Sequence, residues 1–200
     1  MDGANNTPIS YQHIAEAIRY YSRKGFQEIT APWTSARPAW EITAPKGATA
    51  YEIEGRPLVA SGEQSFLEMI GTGALAPGCY QCTTPCFRDE PVRDELHRLY
   101  FLKTELIETR HTDEARLVEI IALCKTFFGQ YVNVAVEESA PGVFDIVTAA
   151  DRIELGSYGI REHPDVGRWI FATGCAEPRL STALARHVQR AKLRTFQTAL

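Results

Sequence analysis

Ionisable and aromatic side chains are concentrated in one stretch of the sequence, CFRDEPVRDELHRLYFLKTE. Two runs of strand-forming residues flank a charged loop, and alternate positions of a strand point to the same face of its sheet. Arg88 and Glu90 are therefore expected on one face before the loop. Phe101, Lys103 and Glu105 are expected on one face after it. Such ionisable groups are costly in a core unless they pair or meet a ligand.

The types of these side chains match the parts of a nucleotide. A planar arginine fork suits a phosphate, and a phenylalanine ring suits a stacked base. Carboxylates suit an exocyclic amine, an ammonium group or a hydrated metal ion. The pattern leaves two interpretations open, a nucleotide pocket or an Arg–Glu lattice that only holds the sheet together.

Hydrophobic periodicity predicts the helices that would position this stretch. ISYQHIAEAIRYYSRKG indicates a helix that Ser10 caps and that ends before Gly25, and TDEARLVEIIALCKTFFGQY indicates a strong helix capped by Thr112. A shorter helix is predicted in EQSFLEMIGTG. The closing helix, EPRLSTALARHVQRAKLRTF, has Pro178 in its first turn. Residues 33–50 are predicted to be a loop with a short extended piece.

Alternating apolar residues predict strands in FQEITAPW, CYQCTTPCFR, LYFLKTELIET, VFDIVT, RIELGSYGI and GRWIFATG. A hairpin is predicted around Gly55 and Arg56. About three to four helices and six to eight strands, without regular alternation, predict an α+β fold, an antiparallel β-sheet flanked by helices. The length of 200 residues suits a single domain, placed at residues 10–200 after a flexible N-terminus at residues 1–9.

Composition narrows the classes of function. Hydrophobic residues make up 44% of the chain and charged residues 23%, which is typical of soluble globular proteins. The formal net charge of -4 argues against nucleic-acid binding through bulk charge, so no DNA partner is expected. The first residues, MDGANNTP, lack the features of a signal peptide, and no apolar run approaches the ~18 residues of a membrane span. We therefore expect a cytoplasmic protein without a membrane partner.

Three of the five cysteines are closely spaced. Cys79, Cys82 and Cys86 form C-x2-C-x3-C, a spacing that could indicate a zinc knuckle. The run has strand character, however, and a fourth ligand is not evident nearby. We favour the interpretation that these thiols are reduced and pack as small apolar side chains.

Three segments resemble the motifs of the class II aminoacyl-tRNA synthetases. FRDE, a charged loop with His97 and then FLKTELIE resemble motif 2, which reads Phe-Arg-x-Glu, a loop and Phe-x-x-x-Glu. RKGFQEITAPW resembles motif 1, with Pro32 six residues after the phenylalanine. GRWIFATGCAEPRLSTAL resembles motif 3, a strand and Gly-rich turn before an arginine, Arg179, that opens a helix. The motifs occur in the order of that superfamily, over residues 10–190.

The resemblance implies a synthetase-like catalytic domain at residues 10–200 that forms an acyl-adenylate from ATP and an amino acid or similar small carboxylate. It also implies Mg²⁺ as a cofactor and a homodimer with Pro32 at its interface. Motif 3 departs from the family pattern, because Pro178 stands where an acidic residue usually precedes the arginine and Gly174 alone represents the glycine run. No anticodon-binding domain is expected, so the acceptor is left open among tRNA, a carrier protein and a small molecule.

Roles for individual residues follow from the same resemblance. Arg88 and Arg179 would be the catalytic cations, the first on the α-phosphate and acyl-adenylate carbonyl, the second on the γ-phosphate. Adenine would lie between Phe101 and Arg179, with Glu90 beside the adenine or the amino-acid amine. The other implied contacts are His97 or Arg98 to the γ-phosphate, Glu63, Gln64, Lys103 and Ser157 to the carboxylate substrate, and Glu105 and Glu154 to a metal ion or the ribose.

The sequence leaves functions of different classes open. One is an ATP-dependent adenylate-forming ligase, which the intact set of Arg88, Phe101 and Arg179 favours. A second is a non-catalytic synthetase paralogue that acts as an amino-acid- or nucleotide-binding regulatory subunit or sensor, which the altered motif 3 favours. A third is an unrelated α+β binding module in which these charges only form surface lattices.

Overall fold

The computed structural model of the protein describes residues 7–90 and 92–198, with side chains as far as residue 192. The expected flexible N-terminus at 1–9 thus lies mostly outside the described residues. The described helices are α1 (Tyr11–Arg23), α2 (Arg37–Thr43), α3 (Gly62–Gly71), α4 (Glu114–Phe128) and α5 (Arg179–Thr198). The strands are β1 (Gln27–Glu28), β2 (Glu52–Ile53), β3 (Arg56–Pro57), β4 (Cys79–Phe87), β5 (Tyr100–Glu108), β6 (Val134–Ala140), β7 (Val143–Thr148), β8 (Glu154–His163) and β9 (Gly167–Glu177).

Seven strands form one sheet in the order β1-β4-β5-β9-β8-β7-β6. All neighbouring strands run antiparallel except β1 and β4, which are parallel. β2 and β3 pair separately as the predicted hairpin. The predicted α+β class, an antiparallel sheet flanked by helices, is confirmed.

Helices cover both faces of this sheet. α1, α4 and α5 pack on one face, where Tyr21, Phe127 and Tyr158 are buried in the larger apolar core. α3 packs on the other face with α2 beside it, and there Phe66 and Trp169 are buried in a smaller core. Of the described helices, none combines the length and apolar character needed to span a membrane.

Side-chain caps fix the starts of α1 and α4. The Ser10 hydroxyl accepts a hydrogen bond from the backbone N–H of His13 at 3.3 Å, as predicted. The prediction of Thr112 as the cap of α4 is wrong, because Asp113 takes that place. Its carboxylate accepts from the backbone N–H of Arg116 at 2.8 Å, and aspartate is among the strongest capping residues.

Two described elements, α2 and β6, were not predicted. α2 forms within residues 33–50 because Pro38 stands in its first turn, where the missing N–H is tolerated, and Trp40 is buried. β6 is an edge strand with mostly exposed side chains, held by its pairing with β7. Pro178 precedes α5 instead of lying in its first turn, and its carbonyl accepts from the N–H of Thr182 at 2.8 Å.

The three closely spaced cysteines lie on β4, where the pleat separates them. Cys82 and Cys86 are buried on the α3 face, and Cys79 points to the opposite face. Burial raises the pKa of the Cys79 thiol to about 12 and that of Cys82 well above its ordinary value. Three thiols divided between two faces cannot share one metal ion, and this arrangement agrees with the packing interpretation.

Candidate active site

A cleft of about 340 Å³ opens on the α3 face of the sheet, within the usual size range of small-molecule sites. Its floor is formed by β5, β9 and β8, and its walls by the loop between β4 and β5, the start of α3 and the start of α5. The predicted site residues that line it are Glu63, Gln64, Arg88, Glu90, His97, Arg98, Phe101, Lys103, Glu154, Ser157 and Arg179. Residues from six segments of the chain therefore converge here.

Arg88 lies over the ring of Phe101, with the guanidinium carbon 5.0 Å from the ring centroid. Its Nε donates to the carbonyl of Ala60 at 3.0 Å, and its Nη1 is 4.0 Å from a Glu90 oxygen. The backbone N–H of Arg88 donates to Leu99, which draws the two ends of the charged loop together. The side chain of Arg88 donates to a neutral carbonyl, and the Glu90 carboxylate is too far away for a hydrogen bond. The positive charge of Arg88 is therefore available to an anion in the cleft.

Arg98 carries a guanidinium nitrogen without a partner. Its Nε donates to the carbonyl of Glu95 at 3.4 Å, whereas Nη2 is buried and has no hydrogen-bond acceptor among the described residues. A buried donor left unpaired costs about 1–3 kcal/mol. His97, its neighbour, has Nδ1 2.9 Å from Asp94 and is half exposed. An anionic oxygen bound in the cleft would satisfy this donor only after the Arg98 side chain had turned toward the cleft.

Arg179, the first residue of α5, joins two walls of the cleft. Its Nη1 donates to Glu154 at 3.0 Å and its Nη2 to the carbonyl of Leu96 at 3.4 Å. Glu154 is exposed at the start of β8. The arginine expected from motif 3 is thus present in the cleft, although a carboxylate already shares its charge.

Glu177, the acidic residue displaced from its usual place in motif 3, makes its contacts on the α1 side of the sheet. It is fully buried, and its Oε1 lies 2.6 Å from Nδ1 of His13 on α1. The backbone N–H of Ser10 donates to the other carboxylate oxygen at 3.4 Å. Glu177 therefore ties the end of β9, two residues before Arg179, to the start of α1.

Glu63 lies at the end of the cleft that is formed by β8 and β9. Its carboxylate accepts from Nε1 of Trp169 at 2.7 Å and from Nη1 of Arg161 at 2.6 Å. Only 4% of Glu63 is exposed, and burial raises the pKa of its carboxyl even though Arg161 opposes the shift. The Arg161 guanidinium stacks on Phe171, 3.8 Å from the ring centroid. The prediction of site residues omitted Arg161, Trp169 and Phe171. Strand alternation nevertheless places Arg161 on the same face as Ser157.

Gln64 and Lys103 line the cleft but already have partners. The Gln64 amide accepts from the backbone N–H of Ala60 at 2.8 Å and donates to the carbonyl of Trp40 at 3.2 Å. The Lys103 ammonium lies 2.8 Å from Glu105. Their polar groups therefore hold the loop before α3 and the cleft floor in place.

Glu105, which was expected to contact a metal ion or the ribose, is not among the residues that line the cleft. Its side chain is fully buried beneath the cleft, where one oxygen accepts from the Ser61 hydroxyl and faces Lys103. The other oxygen has no partner among the described residues. Glu154 does line the cleft, so the two carboxylates predicted to contact a metal ion or the ribose occupy different layers. Nowhere in the described part of the chain do three His, Cys, Asp or Glu side chains group as a metal site.

Pro32 lies outside the cleft, on the exposed surface. Its carbonyl accepts from the Ser65 hydroxyl at 2.6 Å, and the next residue, Trp33, is 60% exposed. Its expected place in a dimer interface stays a prediction.

Comparisons with known proteins define the class of fold. No protein-family model matches the sequence, and no curated protein is similar to it in sequence. Solved structures match it well, among them the cytoplasmic serine-tRNA ligase of Naegleria fowleri in complex with AMP, at 16% identity and a TM-score of 0.67 over 84% of this chain. The protein has the fold of class II aminoacyl-tRNA synthetase catalytic cores, as the resemblance of its motifs implied.

Two structures of pyrrolysyl-tRNA synthetase from Desulfitobacterium hafniense are similar as well. Each is 15% identical in sequence, and each match covers 86% of the present chain, with TM-scores of 0.66 and 0.64. The chain spans 46% of the Naegleria ligase and 65% and 68% of the two Desulfitobacterium structures. The likeness therefore concerns part of each of these proteins.

Proposed function

We propose that residues 10–200 act as one catalytic domain, an ATP-dependent ligase that activates an amino acid or similar small carboxylate as an acyl-adenylate. The observation that carries the proposal is the convergence of Arg88, Arg98, Phe101 and Arg179 in one cleft. A nucleotide offers phosphate oxygens to the arginines and a base to the ring. The Naegleria ligase, which has the same fold, is in complex with AMP.

Adenylation brings two anions together. A carboxylate oxygen attacks the α-phosphorus of ATP, the new bond to phosphorus forms, and the bond to the pyrophosphate oxygen breaks. Arg88 and Arg179 would offset the charge repulsion and the charge that develops in the transition state. Phe101 would stack on adenine, and His97 or Arg98 would hold the γ-phosphate. This chemistry requires no nucleophile from the protein.

Mg²⁺ fits this cleft through Glu154. Magnesium usually keeps several waters and binds one or two carboxylates together with substrate phosphates, so an all-protein cage is unnecessary. Glu154 offers an exposed carboxylate in the cleft, of which Arg179 binds one oxygen, Oε1. When bound with ATP, the ion would supply further neutralisation of phosphate charge.

We also propose that the protein acts in the cytoplasm as a homodimer, with Pro32 at the interface. The exposed indole of Trp33 next to Pro32 supports this, because large exposed aromatic side chains are enriched at interfaces. Sedimentation equilibrium of the native protein and of a Trp33→Asp variant would test it. A native protein that stays monomeric at high concentration would contradict the dimer. The acceptor of the acyl group, whether tRNA, a carrier protein or a small molecule, is not specified by the cleft.

A non-catalytic paralogue, a sensor or regulatory subunit, is the second candidate. The ion pair between Arg179 and Glu154 favours this second candidate, because Glu154 already binds the cation that adenylation would need. Such a protein would bind ATP or an amino acid without exchanging pyrophosphate.

Pyrophosphate exchange into ATP separates the two candidates. The assay would be run with Mg²⁺ against a panel of amino acids and related carboxylic acids, with ATP binding measured in parallel by calorimetry. Exchange that depends on one acid would support the ligase and name its substrate. ATP binding without exchange for any acid would support the sensor, and a protein that binds no ATP would overturn both nucleotide roles.

A further inference from the structure

The end of the cleft farthest from Phe101 presents a guanidinium group that is built into the wall. Arg161 stacks on Phe171, with its guanidinium carbon 3.8 Å from the ring centroid, and its Nη1 donates to the buried carboxylate of Glu63. Glu63 is itself fixed by the indole N–H of Trp169. Among the described residues, only Nη1 of Arg161 has a hydrogen-bond partner, and 39% of the side chain is exposed. A preorganised fork with free donors therefore faces solvent in the cleft.

The register of the strands places this group away from the expected nucleotide end. Phe101 lies at the start of β5, whereas Arg161 is paired with Trp169 near the start of β9. β5 and β9 run antiparallel, and Ile107, six positions after Phe101, is the residue that faces Phe171. At about 3.3 Å per residue, roughly 20 Å of strand separate the two ends. The Arg161 end thus lies beyond the region that the base and ribose would fill.

The carboxylate of Glu63 is poorly placed to bind a substrate ammonium group. Both of its oxygens already accept hydrogen bonds, one from Trp169 and one from Arg161. It is also almost completely buried, whereas the side chain of its partner Arg161 is 39% exposed. The polar group offered to a ligand at this end is therefore the arginine, whose free N–H donors match a carboxylate in a bidentate geometry.

We propose that the acid activated by this protein carries a second anionic group, a carboxylate, which Arg161 binds while the reacting carboxylate meets the α-phosphate of ATP beyond the base and ribose. The inference rests on the proposed adenylation and specifies its substrate class as dicarboxylic acids, with or without an amino group. Phe171 and Glu63 act as positioning residues, because they orient the guanidinium and do not themselves touch the acid.

Matched pairs of acids and amides test this inference. Calorimetry would measure the binding of succinate against succinamate, aspartate against asparagine and glutamate against glutamine, without ATP and then with it. The two members of each pair differ by one charge and have nearly the same shape. The double variant Glu63→Gln/Arg161→Gln removes both charges together, so that neither is left unpaired. Arg168→Gln, an exposed arginine on β9 that does not line the cleft, is the matched control.

We expect the native protein and the Arg168→Gln control to bind at least one diacid about tenfold or more tightly than its amide, because bonds to a charged group are the strong ones. The double variant should lose that preference. Equal binding of acid and amide by the native protein, or a preference that survives in the double variant, overturns the inference.

Pyrophosphate exchange reports on the proposed function independently. Exchange with a monocarboxylic amino acid and no diacid preference would uphold adenylation and overturn the diacid inference. Diacid binding that is lost in the double variant, without exchange for any acid, would uphold Arg161 as the diacid site and overturn adenylation.

Discussion

His13 and Glu177 lie 2.6 Å apart although 164 residues separate them in sequence. The contact joins the first turn of α1 to the last residue of β9, and the carboxylate is fully buried there. Arg179, the arginine in the cleft, lies two residues further along the chain. In the motif 3 pattern, an acidic residue stands directly before the arginine. Here the acidic residue is two positions before Arg179, and it anchors that segment to α1.

Replacing His13 should therefore affect both stability and the cleft. In His13→Ala the buried Glu177 carboxylate loses a hydrogen-bond partner, and we expect the free energy of unfolding to fall by about 1–3 kcal/mol. The KM for ATP should rise because Arg179 is held less firmly. Urea denaturation and ATP titration measure the two effects. Gln12→Ala, which removes only an exposed contact with Glu16, is the control; stability equal to that of this control would argue against the anchor.

Removing Arg88 should eliminate activity while leaving the fold intact. The side chain is 39% exposed and, among the described residues, donates a hydrogen bond to a backbone carbonyl, so we expect little change in stability for Arg88→Ala. Pyrophosphate exchange should fall by about 100-fold or more, as when a preorganised charge at a transition state is lost. Arg93→Ala is the matched control, since Arg93 lies on the same loop but outside the cleft. Unchanged ATP affinity in Arg88→Ala would refute its assignment.

Phe101→Ala should weaken ATP binding by about 1–3 kcal/mol, the value of a stack between an aromatic side chain and a base. Tyr100 precedes it on the same strand, points to the opposite face and is 57% exposed, so Tyr100→Ala provides the control. Calorimetry with ATP on both variants makes the comparison. Equal losses in the two variants would mean that adenine does not stack on Phe101.

Arg98→Ala should lower the affinity for ATP without lowering the stability of the fold. The change removes a buried donor that has no partner among the described residues, so we expect the free energy of unfolding without ligand to be unchanged or higher. Affinity for ATP should fall about tenfold or more, whereas affinity for AMP, which lacks the γ-phosphate, should change little. Chemical denaturation and calorimetry with both nucleotides provide the data. An equal loss for ATP and AMP would exclude the γ-phosphate contact.

Glu63 should make stability depend on pH. Burial raises the pKa of its carboxyl above the ordinary value of 4.5 in the folded protein, so the folded state holds this proton to higher pH than the unfolded chain does. The contribution of protonated Glu63 to stability is complete below pH 4.5 and is lost as the pH rises through the folded-state pKa. In Glu63→Gln this titration is absent.

The unfolding free energy of the native protein relative to Glu63→Gln should therefore decrease as the pH rises above 4.5. Urea denaturation between pH 4 and pH 8 measures this difference. Glu41→Gln, at an exposed position of α2, serves as the control for a carboxylate removed outside the core. A difference that increases with pH would show that Arg161 lowers the pKa more than burial raises it.

Local patterns correctly predicted several features that neighbouring residues decide, although the cap of α4 is Asp113 and not Thr112. The alternation of Phe101, Lys103 and Glu105 predicted one face of β5, and the cap at Ser10 predicted the start of α1; both are present. The motif order predicted the fold class and placed Arg88 and Arg179 in the same cleft. These features depend on side-chain period and on hydrogen bonds within a few residues.

The tertiary structure alone decided which charges are free to bind a ligand. The sequence does not specify that Glu63 pairs with Arg161 across 98 residues, or that Glu105 is covered by Lys103 and Ser61. The edge strand β6 and the helix α2 likewise depend on packing against β7 and α3. Strand order and register bring these distant groups together, and neither is encoded in local periodicity. The sequence thus determined the type of fold and the types of chemical groups, whereas long-range pairing determined which of those groups remain available in the cleft.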